Sequence, residues 1–202
     1  LYQNGLWLLN GMHFSFALKT GTVSREDFMD IERFAPQRAQ VAAMMTRLYQ
    51  CRLTTTSGGN ISLRLSEDLF CITPSKLDKA NLTGDLIAVV TFSGENLTPH
   101  LPLSIESEMH RKALSNRLDI SAVVHAHPSY ASPFTAMKRA VNTKLLAESW
   151  FLLEQPAFAS YERMGTVALA EAVAASLAKS NVVLMENHGV LTVGKTLIEA
   201  FD

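Results

Sequence analysis

The chain has 202 residues, 48% hydrophobic and 18% charged, with a formal net charge of −1 from 18 basic and 19 acidic side chains. That balance gives no electrostatic reason to expect nucleic acid or an anionic membrane as a partner, and the length suits one domain, or at most two small ones, with a real core. Cys51 and Cys71 are too few for a disulfide framework and are not spaced as a metal-binding pair, so a reducing, cytoplasmic setting is the expectation.

Residues 1–23 carry a mixed apolar pattern with Gly5, Gly11 and Gly21, which predicts an irregular arm or a broken helix. Its most apolar part, Leu6 to Leu18, falls short of the roughly 20 residues that span a bilayer and lacks the basic start of a signal peptide. Ser24 with Asp27 resembles a helix start, and a short helix to Phe34 would be ended or redirected by Pro36. From Gln37 to Cys51, Val41, Met44, Met45, Leu48 and Tyr49 recur at helical spacing and predict the first long amphipathic helix. Residues 1–36 are therefore read as an N-terminal arm and 37–202 as the domain.

A loop of Ser57, Gly58, Gly59 and Asn60 feeds the alternating Ile61, Leu63 and Leu65, a strand pattern with one buried face. Glycines let backbone amides approach an anion, and the same residues fit a plain tight turn. Leu69 to Thr73 and Leu86 to Phe92 predict two more strands, giving an antiparallel meander. Ile105, Met109 and Ala113 lie on one stripe of a helix over 104–117, with Ser104 as its cap. Glu106 and His110 share a face of that helix, one turn apart, a spacing that a solvated surface pair would also satisfy.

The stretch Ser121 to Ser129, SAVVHAHPS, organises the rest. Ala122, Val123 and Val124 suit a buried strand, and His125 and His127, two apart, project from the same face. Pro128 stops the ladder, because proline has no N–H to donate. Two imidazoles so placed suit a divalent metal or a hydrogen-bonded pair. Periodicity leaves 130–159 undetermined, although Leu145, Leu146, Trp150 and Phe151 are expected to be buried. Gly165 and Thr166 open an alanine-rich helix to Lys179; Val182 to Met185 is a buried strand ending in Glu186–Gly189, ENHG; strand resumes over Val190 to Val193. Thr196 and Glu199 form a capping box for a helix that has barely begun at Asp202, an ending that suggests truncation.

Taken together, GNIS at Gly59 to Ser62, ITPS at Ile72 to Ser75, S-x-E-x-x-x-H from Ser104 to His110, HAHP at His125 to Pro128 and NHG at Asn187 to Gly189 resemble the class II sugar-phosphate aldolase and adducin-head superfamily, the group of L-fuculose-1-phosphate aldolase. Glu106 lies 19 residues before His125 and His188 lies 63 after it, and the resemblance covers roughly residues 38 to 201. It implies an α/β fold of three layers, a central mainly antiparallel sheet flanked by helices. It further implies one zinc ion per chain held by His125, His127 and His188, and Glu106 as the acid/base carboxylate. Gly59, Asn60, Ser75 and Ser104 would hold a substrate phosphate, and His110 is read as structural. The implied reaction is cleavage of a ketose phosphate to dihydroxyacetone phosphate and an aldehyde through an enediolate.

Two departures bear on the substrate. Ile105 stands where the sugar-phosphate enzymes commonly carry a second serine, and Lys76 where they commonly carry glycine. The Lys76 ammonium could pair with phosphate, replacing the lost hydroxyl, or with a substrate carboxylate, or remain a solvated surface charge. The family's substrate-contacting tyrosine has no alignable counterpart over 144–160. Related metal-dependent epimerase, dehydratase or decarboxylase chemistry stays open, as does a non-catalytic adducin-head-like assembly domain, which the retained histidines and Glu106 disfavour. The resemblance also implies a homotetramer with active sites at subunit boundaries.

Overall fold

The computed structural model describes residues 31–137 and 139–202. The arm over 1–23, and all but the last residues of the helix expected from Ser24 to Phe34, lie outside the described residues.

Helix α1, Ala35–Gln50, begins two residues before its expected start because Pro36 sits in its first turn. Proline costs nothing there, since the first N–H groups of a helix have no partner inside it, so Pro36 opens this helix, and the helical residues before it end at a turn over 33–34. Val41, Met44, Met45 and Leu48 form its buried stripe, and Tyr49 is half-buried. The meander follows as β1, Asn60–Arg64, β2, Leu69–Ile72, and β3, Ala88–Thr91. The third strand is shorter than its apolar run, because Gly84–Leu86 is taken by a 3-10 turn.

Helix α2, Ser107–Asn116, leads to β4, Ala122–Ala126. Ser104 is not its cap: Glu106 occupies that position, and the Ser104 hydroxyl instead accepts the Glu106 backbone N–H at 3.3 Å. The segment that periodicity left open contains α3, Ser132–Met137, α4, Ala147–Leu153, and β5, Ala157–Ala159. Helix α5, Val167–Leu177, is capped by Thr166, whose hydroxyl accepts the Leu169 N–H at 3.3 Å. Strands β6, Val182–Met185, and β7, Gly189–Gly194, precede α6, Leu197–Phe201. The Thr196 hydroxyl accepts the Glu199 N–H at 3.1 Å, and the Glu199 carboxylate takes the Lys195 N–H at 2.9 Å.

These strands form one mixed sheet in the order β3-β2-β1-β4-β7-β6-β5, antiparallel at every pairing except β5 with β6. The pleat divides the side chains between two faces. Phe70, Ile72, Val123, Val183 and Leu191 pack with α2 and α5 through Met109, Leu114, Leu169 and Leu177. Ile61, Leu63, Cys71, Val89 and Val124 pack with α1 and α6 through Val41, Met45, Leu48 and Leu197. Each fully buried aliphatic side chain contributes roughly 1.5–3 kcal/mol. Strand β1 is buried on both faces, not one: its alternate residues Asn60 and Ser62 turn inward toward α2. In contrast Leu145, Leu146, Trp150 and Phe151 are exposed, Phe151 at 82% and Leu145 at 77%, so their expected burial does not occur within the described residues of one chain. No described helix is long and apolar enough to cross a membrane.

Candidate functional site

Four segments far apart in sequence meet at one end of the central strands. Strand β4 is fourth of seven, hydrogen-bonded to β1 and β7 on either side, and its register sets Asn60 opposite His125 and Leu191 opposite His125 on the other flank. His125 shares the α2 face with Val123, and His127 lies just past the strand, its backbone N–H donated to the Leu53 carbonyl at 2.9 Å. The β6–β7 turn supplies His188, following Asn187 in the left-handed region at φ 55°. Helix α2 brings Glu106 at its N-terminal end, where unpaired backbone N–H groups favour a carboxylate.

The ligand nitrogens of His125, His127 and His188 all lie within 4.8 Å of one another. His125 is fully buried and donates Nδ1–H to the Val190 carbonyl at 2.9 Å, which leaves its Nε2 lone pair facing the site. Glu106 Oε1 stands 2.9 Å from His188 Nε2 and Oε2 stands 3.5 Å from His125 Nε2. The 2.9 Å approach lacks hydrogen-bond alignment, so Glu106 Oε1, His125 Nε2 and His188 Nε2 are all buried without a hydrogen-bond partner. Buried polar atoms rarely stay unpaired. Three imidazole nitrogens this close together, with a carboxylate beside two of them, are a donor set suited to a divalent metal.

Glycines let the backbone close around these rings. A Cβ on Gly189 would fall 2.6 Å from the Ala126 carbonyl oxygen and 2.6 Å from the His127 ring, and one on Gly58 would fall 3.0 Å from His127 Nδ1. Gly59 adopts φ +65°, and its Cβ would meet the His125 carbonyl at 2.8 Å. Both loops are thus pressed against the histidines by residues that need no side-chain room.

Burial shapes the charges. It pushes the His125 imidazole down to about 4 and lowers His127 as well, with the neighbouring rings adding to the effect, so both are neutral at pH 7 and can ligate. For Glu106 burial pushes the other way, but its contact with His188, the His125 ring and the Asn60 amide together hold the carboxyl well below the usual carboxylate range. Glu106 and His110, which spacing alone would have left on the surface, are both buried. Asn60 Nδ2 donates to Glu106 Oε2 at 2.7 Å and to Ser104 Oγ at 3.0 Å. Ser104 Oγ also accepts the Glu106 N–H, so both its lone pairs are used and its hydrogen remains for an outside acceptor.

The loop over 73–76 adjoins this cluster. Thr73 holds the Ile61 N–H through its hydroxyl at 3.1 Å, and the Ser75 N–H is donated to the Pro102 carbonyl at 2.8 Å, two residues before Ser104. Ser75 is half-buried, while Lys76 is exposed at φ 61°, a left-handed conformation unusual for a lysine. Lys79 was not singled out by its sequence context, a second lysine three residues after Lys76 in the same loop. It is buried, its ammonium donates to the Pro74 carbonyl, and burial pushes it down to about 8. Gly189 had a legible signal, a glycine directly after a histidine at the head of an apolar strand.

Residues 39–202 match the family model described as the class II aldolase and adducin N-terminal domain. An L-fuculose phosphate aldolase of Methanococcus maripaludis is 33% identical over 154 residues, 76% of this chain and 82% of that protein. A 5-deoxy-D-ribulose 1-phosphate aldolase of Bacillus thuringiensis is 28% identical over 169 residues, covering 82% and 78%. Among solved structures, an L-fuculose 1-phosphate aldolase superposes with a TM-score of 0.74 at 28% identity, covering 81% of this chain and 77% of that one. The L-fuculose-1-phosphate aldolase of Thermus thermophilus gives 0.72 at 27%, covering 81% and 85%.

Proposed function

Since the chain belongs to the class II aldolase and adducin N-terminal domain family, we propose that it is a zinc-dependent aldehyde-lyase that cleaves a ketose phosphate to dihydroxyacetone phosphate and an aldehyde. The observation that carries this reading is the convergence of three histidines and Glu106 with Glu106 Oε1, His125 Nε2 and His188 Nε2 buried and unpaired. His125, His127 and His188 would hold the ion and leave it an open coordination position, as catalytic sites do. When bound, the metal supplies Lewis acidity toward the substrate's carbonyl and hydroxyl oxygens, stabilising charge that develops beside the breaking C–C bond.

The chain's own groups divide the remaining work. In the condensation direction the ionised Glu106 takes a proton from the hydroxymethyl carbon of dihydroxyacetone phosphate; in cleavage it gives that carbon the proton released when the substrate hydroxyl becomes the aldehyde, and ends ionised again. Oε1 is the oxygen for this, because Oε2 is held by Asn60. Ser104 directs its free hydrogen to a phosphate oxygen, joined by Gly59, Ser75 and Lys76 from the two adjoining loops. Asn60 acts here by aiming Ser104. Fixing the phosphate places the reacting carbons relative to the ion and to Glu106. The setting is cytoplasmic, and the assembly a homotetramer in which the exposed Leu145, Leu146 and Phe151 become covered.

Metal analysis of the purified protein, with release of dihydroxyacetone phosphate from fuculose, rhamnulose and ribulose phosphates, tests the reading. One zinc per chain and cleavage are expected, with Glu106→Gln keeping its zinc and losing about 10²–10⁴-fold in rate. Zinc without cleavage of any ketose phosphate would move the activity to epimerase, dehydratase or decarboxylase chemistry. A protein that takes up no metal after reconstitution would overturn it.

A further inference from the structure

The ring nitrogens of His110 are both engaged by residues other than the three metal-site histidines, and the residue is 0% exposed. It lies on α2 one turn beyond Glu106 and reaches across to two residues on the same face of β1. Ser62 Oγ is 2.7 Å from Nδ1, and Asn60 Oδ1 is 2.5 Å from Nε2. Asn60 in turn gives one N–H to Glu106 Oε2 at 2.7 Å and the other to Ser104 Oγ at 3.0 Å.

These bonds admit one consistent assignment. Asn60 Nδ2 lies within hydrogen-bond reach of both Glu106 Oε2 and Ser104 Oγ, which places the NH2 on that side and Asn60 Oδ1 against His110. A carbonyl oxygen only accepts, so His110 must carry its hydrogen on Nε2. Burial keeps that ring neutral by pushing it down to about 3, so Nδ1 is unprotonated and takes the Ser62 hydroxyl hydrogen. Turning the Asn60 amide by half a turn would set its oxygen against a carboxylate oxygen at 2.7 Å. Without a donor at the His110 position, Asn60 Oδ1 loses its partner, and the amide is held by its NH2 contacts alone.

We propose that His110 is a positioning residue: its Nε2–H holds the Asn60 amide turned so that the NH2 grips Glu106 Oε2 and Ser104 Oγ, which reserves Glu106 Oε1 for proton transfer and the Ser104 hydroxyl for the anionic group of the substrate. This rests on the aldolase reading for its catalytic consequence, and on the hydrogen-bond geometry alone for the orientation.

The test combines kinetics with nitrogen-15 NMR of histidine-labelled, zinc-loaded protein. Long-range proton–nitrogen spectra are expected to give His110 as the Nε2–H tautomer; an Nδ1–H tautomer overturns the orientation, whatever reaction the protein catalyses. His110→Phe keeps the ring volume and removes the donor, and should lower kcat about 10–100-fold with zinc content unchanged, the loss typical of supporting partners in metal sites. His110→Gln restores an N–H near the Nε2 position and should recover most of it. Because His110 acts through Asn60, Asn60→Ala with His110→Phe should be no worse than Asn60→Ala alone. Additive losses, or a Gln variant as poor as Phe, would assign His110 a packing role and overturn the proposal. A wild-type protein that cleaves no ketose phosphate would remove the aldolase reading while the tautomer still decides the orientation.

Discussion

Replacing Gly189 with alanine perturbs the metal site without touching a ligand. The added Cβ would stand 2.6 Å from both the Ala126 carbonyl oxygen and His127 Cδ2, where ordinary contact begins at 3.4 Å. The shortfall of about 0.8 Å on two sides cannot be absorbed by a flexible side-chain end, because one neighbour is backbone of the central strand and close-packed interiors yield little. Either β7 parts from β4 or the His127 ring turns. Overpacking of this kind costs roughly 1–3 kcal/mol, about 2–4 °C in Tm per kcal/mol for a chain of this size. Displacing His127 should weaken metal binding by about 10–100-fold, which removes roughly 1.4–2.7 kcal/mol of zinc-dependent stabilisation at a fixed zinc concentration. Thermal melts with and without chelator read the first effect, and competition against a zinc-binding dye reads the second. An alanine variant that melts with the wild type and binds zinc equally well would refute the close-approach argument.

Three further outcomes follow from the same geometry. Lys76→Gly should relieve a left-handed lysine at φ 61° and stabilise the fold by about 1 kcal/mol, while KM for a phosphorylated ketose rises; an unchanged KM would deny Lys76 a part in holding phosphate. His110 is pushed from 6.5 to about 3 by burial, so below pH 6.5 the unfolded chain takes up a proton that the folded chain refuses. Stability should therefore be complete above pH 6.5 and fall toward pH 3 by up to about 1.4 kcal/mol per pH unit from this group; the Glu106 carboxyl adds loss of the same sign below its ordinary 4.5. Urea midpoints between pH 7 and 4 should show a shallower decline in His110→Phe, and parallel declines would contradict the buried-neutral assignment. Lys79→Met keeps the packing of the buried stem and removes its bond to the Pro74 carbonyl, so KM should rise with zinc content unchanged; equal KM would mean that the bond does not set the loop.

Much of the fold was legible because its strands are written in apolar runs closed by turn residues: LFCI, AVVHA and VVLM each became a strand, and His125 and His127 fell at the end of theirs. Legibility failed where the partner of a side chain lies far along the chain. Asn60 and Ser62 alternate with Ile61 and Leu63 as a solvent-facing pair would, but they face Glu106 and His110, whose contribution no local pattern can carry. The same blindness left a solvated surface pair open for Glu106 and His110 until the resemblance placed the carboxylate. In Leu145, Leu146 and Phe151 the error ran the other way, since hydrophobicity predicts burial without saying against what. Pro36 does two things at once: the helical residues before it end at a turn over 33–34, and it then serves in the first turn of the next helix, a role that a breaker reading alone does not supply.

The three histidines differ in how they are mounted. His125 belongs to a strand hydrogen-bonded along both edges at the middle of the sheet, whereas His127 and His188 sit on the loops that leave it. Amides of such a strand exchange with solvent only when the whole domain opens, while loop amides open locally. One ligand is therefore a fixed anchor and two can adjust, so the coordination sphere can tighten or relax around a reacting molecule without disturbing the sheet. Deuterium uptake should be slowest at Val123–His125 and fastest, within the site, across 186–188, and metal should slow the second far more than the first.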